Sequence, residues 1–303
     1  MAVAPPPALP LALDAELSEI HPSDRVVRYY RSRPAVPTGA APLILVHSVN
    51  AAASAAEVAP LFEHYRKTRA VYAIDLPGYG FSDRSDRIYS PRLMTDAVLA
   101  LVTVAQRENA GAPVDLLGVS LAAEFVARAQ RGAPQAIRRV SLISPTGFSG
   151  TRRRYGPPES TLGVPWLHRF LTRPLWSDAI YNTLTRPGVI RYFLARTWGS
   201  RQIDEALWQY DLLTTRQPGA RHAPLYFVSA FLFSKDINSL YEAMDCPVWV
   251  SMATRGDFTD YRGRASLAGR ANWQFHAVEG GALPYFEKPD RFTPLLDAFL
   301  DAP

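Results

Sequence analysis

Short apolar runs recur along the chain with almost no polar interruption, at residues 42–47 (P-L-I-L-V-H), 70–74 (A-V-Y-A-I), 114–117 (V-D-L-L), 139–143, 246–253 and 273–278. Runs of this length, rich in Val, Ile and Leu and not strictly alternating, predict strands covered on both faces. Between them lie stretches of good helix formers: S-V-N-A-A-A-S-A-A-E onward to about residue 67, residues 91–106, residues 122–131, and a last one over 291–300. Strands alternating with helices at this spacing predict an α/β fold with a doubly wound, mostly parallel sheet. Upstream, residues 15–32 read as two short strands around His21-Pro22-Ser23-Asp24, an antiparallel hairpin at the sheet edge.

The alternation stops between residues 149 and 240. No buried strand is apparent there, only helical pieces near 176–184, 189–198, 203–214 and 225–233, separated by proline and glycine. The expected organisation is therefore an extended leader over 1–14, a core built from 15–148 and 241–303, and a helical insertion over 149–240.

Charge sharpens this division. The chain carries a net charge of +5, while the insertion holds twelve Lys/Arg against six Asp/Glu, so the remainder is close to neutral. Such a surplus suits steering of an anionic substrate, contact with acidic lipid, or a solvated basic face. Arg152-Arg153-Arg154 is too short a tract to imply a nucleic-acid partner. One cysteine, Cys246, excludes a disulfide framework and a cysteine-based zinc cluster, and nothing implies a metal or organic cofactor. The N-terminus is broken by prolines and lacks a basic segment, unlike a signal peptide. No apolar run approaches the roughly 20 residues of a spanning helix. A cytoplasmic location is the expectation.

The chemistry concentrates at residues 113–130, P-V-D-L-L-G-V-S-L-A-A-E-F-V-A-R-A-Q. An apolar strand runs into G-V-S-L-A and then at once into a helix. Strand, sharp turn and helix are the context in which a G-x-S-x-G-like sequence forms a nucleophile elbow. The turn strains the serine backbone, so the positions two residues away on each side must be small, as Gly118 and Ala122 are. Ser120 is then exposed above the sheet, and the N–H of Leu121 at the helix start faces a developing oxyanion.

Four segments, in order, resemble the α/β-hydrolase fold superfamily over about residues 15–300: P-L-I-L-V-H-S, D-L-P-G-Y-G-F-S-D (75–83), the elbow, and E-G-G-A-L-P-Y-F-E-K-P-D-R-F (279–292). The helical insertion falls where members of that superfamily carry a cap. The resemblance implies a triad in the order nucleophile, acid, histidine. It assigns Ser120 as nucleophile and Asp257, in T-R-G-D-F, as acid, with Asp260 as a nearby substitute. It implies an oxyanion hole from Ser48, Val49 and Leu121, with Ser48 standing where the superfamily prefers glycine. It also implies His47, Asn50 and Leu283 around the substrate, His47 holding the oxyanion loop.

The histidine position of the resemblance falls on Ala282. Alanine offers no lone pair for the Ser120 proton and no N–H for Asp257 to orient. Of the six histidines, His276 reads as a sheet residue, His47 belongs to the oxyanion loop, His168 and His222 lie in the insertion, and His21 and His64 are remote in sequence. Two functions follow. One is a serine hydrolase acting on a small-molecule ester, thioester or carbon–carbon bond, with an atypical or missing base and a partly apolar, anionic substrate. The other is a non-hydrolytic member that binds a ligand or runs a lyase- or isomerase-type step. A scaffold whose insertion binds a protein partner is a third.

Overall fold

A computed structural model describes residues 6–22, 24–36 and 38–302. Eight strands form one sheet: β1 (Glu16–Ile20), β2 (Val27–Ser32), β3 (Leu43–Val46), β4 (Val71–Ile74), β5 (Val114–Val119), β6 (Ile137–Ile143), β7 (Val248–Ala253) and β8 (Trp273–Val278). Their order is β1-β2-β4-β3-β5-β6-β7-β8. β1 and β2 pair antiparallel at the edge and β2 runs antiparallel to β4; the other neighbours are parallel. The fold is thus α/β with a mostly parallel, doubly wound sheet, as the apolar runs predict. β3, β4, β5 and β7 are buried at every position, which is why their sequences lack alternation. The expected hairpin is present, although its turn residue Ser23 lies outside the described residues.

Helices cover both faces: α1 (Ala59–Tyr65), preceded by a 3-10 turn at Ala55–Val58, α2 (Pro91–Glu108), α3 (Ala122–Gly132), and α10 (Pro284–Glu287) with α11 (Pro289–Leu300) at the end. The D-L-P-G-Y-G segment shows why its glycines are needed. Asp75 accepts N–H bonds from Ala55 and Phe81 at 2.8 and 2.9 Å. A Cβ on Gly80, at φ +49°, would lie about 2 Å from that carboxyl group.

Between β6 and β7 the chain forms α4 (Pro165–Leu171), α5 (Ser177–Leu184), α6 (Pro187–Trp198), α7 (Glu205–Thr214), α8 (His222–Val228) and α9 (Ile237–Glu242). The helices α4 and α9 are absent from the sequence reading; at seven and six residues they are too short to show a period. The piece expected over 225–233 ends at Val228, because Ala230 turns left-handed at φ +64°. Core and insertion are stapled by Arg84, whose half-buried guanidinium donates to the Thr214 carbonyl and hydroxyl, both at 2.7 Å. Part of the N-terminal segment also crosses to α7: Tyr210 donates to the Pro10 carbonyl at 3.0 Å and Gln217 to that of Pro7 at 2.9 Å. Among the described residues no helix is long and apolar enough to cross a membrane.

Candidate active site

β5 runs out at Val119 and α3 begins at Ala122, leaving two residues to reverse direction. Ser120 takes up the turn at φ +53°. A left-handed non-glycine residue costs on the order of 1–3 kcal/mol and persists only where its surroundings enforce it. Here its N–H donates to the Ile143 carbonyl at 2.8 Å, which locks the turn onto the end of β6. Gly118 must lack a side chain, because a Cβ would lie 2.9 Å from Val126 and 3.0 Å from the Ala122 carbonyl oxygen. The N–H of Leu121 is in the first turn of α3, where no intrahelical acceptor exists.

A cavity of about 320 Å³ opens over this turn. Ser120, Leu121, Ser48, Val49, Asn50, Asp257, Ala282 and Leu283 all line it, so the structure brings these expected residues together. The rest of the wall is mostly apolar, with Leu184, Ile190, Phe193 and Leu194 from the insertion. His47 is different from expectation. It is fully buried behind the loop and does not line the cavity. Its Nδ1 lies 2.6 Å from the Ser48 carbonyl and its Nε2 accepts the Leu76 N–H at 3.0 Å. Both nitrogens are engaged, and burial lowers its pKa to about 4. The ring is placed as a strut behind the loop, away from the cavity wall.

The loop at Ser48–Asn50 is tied down from within the fold. The Ser48 N–H donates to Glu57 Oε2 at 2.8 Å, so that backbone donor is committed. Asn50 donates to Glu57 Oε1 at 2.7 Å and to the Ser48 hydroxyl at 3.2 Å, and accepts from the Ala52 N–H at 2.7 Å. Asn50 therefore holds the loop, leaving the Ser48 hydroxyl and the N–H groups of Val49 and Leu121 for a ligand. Glu57 is buried, and burial raises its pKa.

The acid and histidine positions are both bound to the end of α6. Asp257 Oδ2 accepts from Arg196 Nε at 2.6 Å, and the Asp257 N–H reaches the Arg196 carbonyl at 3.2 Å. Asp260 is turned elsewhere, paired with Arg262 at 2.8 Å and accepting the Gly150 N–H at 2.8 Å. The Ala282 N–H donates to the Thr197 carbonyl at 2.8 Å, and the Ala282 carbonyl accepts from the Ser144 hydroxyl at 3.0 Å. Gly281 is pressed so closely on α6 that a Cβ would fall 2.5 Å from Trp198.

No histidine lines the cavity among the described residues. His276 stacks on Trp249 in the sheet with ring centroids 5.5 Å apart. His168 bonds the Ser229 hydroxyl at 3.1 Å, and His222 faces Asp86 at 3.4 Å. Sequence reasoning missed Glu57, Arg196, Thr197 and Asp211. Asp211 left a trace: it sits on the buried face of α7 with Leu207 and Thr214, an acid at helical spacing among core positions.

An eight-stranded sheet with this order, and a strained turn at the C-terminal end of β5, define an α/β-hydrolase fold. The chain belongs to the alpha/beta hydrolase family, whose pattern matches residues 43–295. No curated protein matches it significantly in sequence. Among solved structures it is similar to a probable hydrolytic enzyme from Pseudomonas aeruginosa, with TM-score 0.71 and 16% identity over 97% of this chain and 96% of that one. A meta-cleavage product hydrolase from Pseudomonas fluorescens gives TM-score 0.67 and 17% identity, covering 94% of this chain and 97% of that one. A carboxylesterase from Bacillus subtilis gives 0.67 and 17%, covering 97% and 93%. At these identities the likeness is one of fold.

Proposed function

We propose that this chain is a small-molecule hydrolase in which Ser120 attacks an ester, thioester or similarly activated carbonyl without help from a triad histidine. The observation that carries the reading is the left-handed Ser120 at the floor of a mostly apolar cavity. In this reading residues 149–240 are a cap over a core of 15–148 and 241–303. The Ser120 oxygen adds to the carbonyl carbon, and the oxyanion is met by the N–H groups of Leu121 and Val49 and by the Ser48 hydroxyl. The leaving group departs with a proton drawn from solvent, and water then hydrolyses the acyl ester, returning the Ser120 hydroxyl and releasing the acid. With alanine at 282 the hydroxyl proton goes to solvent, which makes a slow enzyme. Sites stripped of triad members retain about 10³–10⁴-fold over water from oxyanion stabilisation and binding alone.

The substrate reading also narrows. Among the described lining residues there is no Lys, Arg or His, and Glu57, Asp211 and Asp257 are present. Several insertion arginines are held in ion pairs, among them Arg153–Glu242, Arg191–Glu205 and Arg221–Asp178. These features favour a neutral or cationic substrate over an anionic one.

The test is a fluorophosphonate probe read by intact-protein mass spectrometry. A single adduct on the wild type, absent from Ser120→Ala, supports the proposal; equal masses with and without probe reject it. A second reading, ligand binding or a lyase- or isomerase-type step, is favoured by Ala282 together with the Arg196–Asp257 pair.

A further inference from the structure

The wall of the cavity holds two carboxyl groups that the chemistry at Ser120 does not use. Glu57 comes from the 3-10 turn before α1, and Asp211 comes from α7, which packs on that turn. Both are almost wholly withdrawn from solvent, at 3% and 2% exposure. Glu57 has its oxygens occupied by the Ser48 N–H and the Asn50 amide. Asp211 does not: its Oδ1 is buried with no hydrogen-bond partner. A buried carboxyl group is ordinarily paired or fully hydrogen-bonded, and a cavity-lining acid with an orphaned oxygen asks for a donor.

We propose that Asp211, with Glu57 beside it, is a recognition subsite for a protonated amine on an otherwise apolar small-molecule ligand. Three observations select that chemistry. The free acceptor is a carboxyl oxygen, so the missing partner is an N–H or O–H donor. The titratable side chains of the lining are all acids, with no basic one among the described residues, so an ammonium can find a counter-ion there and a carboxylate cannot. Both Glu57 oxygens already hold the loop, so Asp211 is the one acid of the described lining with no bond of its own; a single carboxyl group is too few ligands for a metal ion and sufficient for an ammonium hydrogen. Burial and the negative charge of Glu57 push the Asp211 carboxyl well above the usual carboxylate range, as expected of an acid lacking its counter-charge. The neighbouring Leu184, Ile190 and Phe227 would pack the hydrocarbon part.

The inference rests on the cavity being the substrate site, but not on the reactivity of Ser120. The experiment is therefore binding, measured by titration calorimetry at pH 7 with n-hexylamine, n-hexanol and hexanoate on the full chain. Hexylammonium is expected to bind at least about tenfold more tightly than hexanol, the scale of a hydrogen bond to a charged group, and hexanoate most weakly. Asp211→Asn should bring the hexylammonium-to-hexanol ratio close to one. The thermal upshift of wild type by each compound at equal concentration gives the same ranking without any variant. Equal affinity of wild type for hexylamine and hexanol, or a ratio that survives Asp211→Asn, overturns the subsite. A preserved ratio in a protein that fluorophosphonate fails to label leaves the subsite standing and removes only the nucleophile.

Discussion

Arg196 and Asp257 are joined through Nε and Oδ2 at 2.6 Å, 61 residues apart in sequence. The carboxylate at the acid position is thereby held by the insertion, and it faces a guanidinium where an active triad presents an imidazole. Restoring the histidine alone should accordingly restore little. We expect Ala282→His to raise kcat/KM for p-nitrophenyl butyrate only modestly, and the pair Ala282→His with Arg196→Met to raise it by about tenfold or more beyond that. An imidazole lacking its orienting carboxylate can lose about 10⁴ in kcat, so the gain has room to appear. A double variant no faster than Ala282→His would show that Arg196 does not withhold the acid.

Gly80 and Asp75 make a second, structural prediction. A methyl group at residue 80 would lie 1.9–2.1 Å from the Asp75 carboxyl atoms and would sit on a backbone at φ +49°. Asp75 cannot retreat, because it holds the N–H groups of Ala55 and Phe81. Overpacking of this kind costs about 1–3 kcal/mol or more, so Gly80→Ala should lower the melting temperature by roughly 5 °C. Gly111, with open space around its Cβ position, is the control: it shares a positive φ of +80° but meets nothing within 4 Å. Similar losses at both positions would mean that backbone strain, not the clash, governs Gly80.

What could be read from the sequence, and what could not, divides along contact distance. The strand runs, the elbow and the Asp75–Gly80 turn are local, so their residue types report directly on backbone geometry. Glu57 is only nine residues from Ser48, yet its capture of that N–H depends on how the loop folds back, which no spacing rule specifies. Arg196 and Thr197 were invisible as site residues because their partners lie in other elements. Thr197 meets Ala282 through backbone atoms, which carry no sequence signature at all. His47 was expected against the substrate because it ends a strand beside the oxyanion loop; its orientation is set by the Leu76 N–H, 29 residues away.

His47 also gives the protein a predictable acid response. Burial lowers its pKa from 6.5 to about 4, so the unfolded chain binds a proton in that interval that the native chain does not. Stability contributed by keeping the ring neutral is therefore full above pH 6.5 and is lost as pH falls towards 4. At ~1.4 kcal/mol per pH unit the loss amounts to about 3 kcal/mol. Burial raises the pKa values of Glu57, Asp75 and Asp211, and these carboxyls act in the opposite sense over the acid range. The measurement is consequently a difference: urea unfolding of wild type and His47→Gln from pH 7.5 to 4.5. The gap between them should shrink as the pH falls; a constant gap would contradict a buried neutral imidazole.

The last prediction concerns what holds α7, and with it Asp211, over the cavity. Arg84 leaves the core loop after Phe81 and ends on the C-terminal turn of α7, donating to the Thr214 carbonyl and hydroxyl at 2.7 Å each. It also ties back to the Gly80 carbonyl through Nη2 at 2.6 Å, so one half-buried guanidinium bridges the two parts of the chain. Gly219 is packed against the Arg84 carbonyl, where a Cβ would come within 2.2 Å. Removing the guanidinium leaves the Thr214 carbonyl and the Gly80 carbonyl without this donor in a half-buried setting, a loss of about 1–3 kcal/mol for bonds to a charged donor. Arg84→Met keeps most of the apolar stem, so the change isolates the bonds from the packing. We expect it to speed amide exchange in α7 and α8 well before the sheet is affected, since the staple is specific to the insertion. Uniform acceleration across β3 to β6 would instead make Arg84 a general determinant of the core. Exchange unchanged everywhere would show that α7 is held by its apolar face alone, through Leu207 and its neighbours.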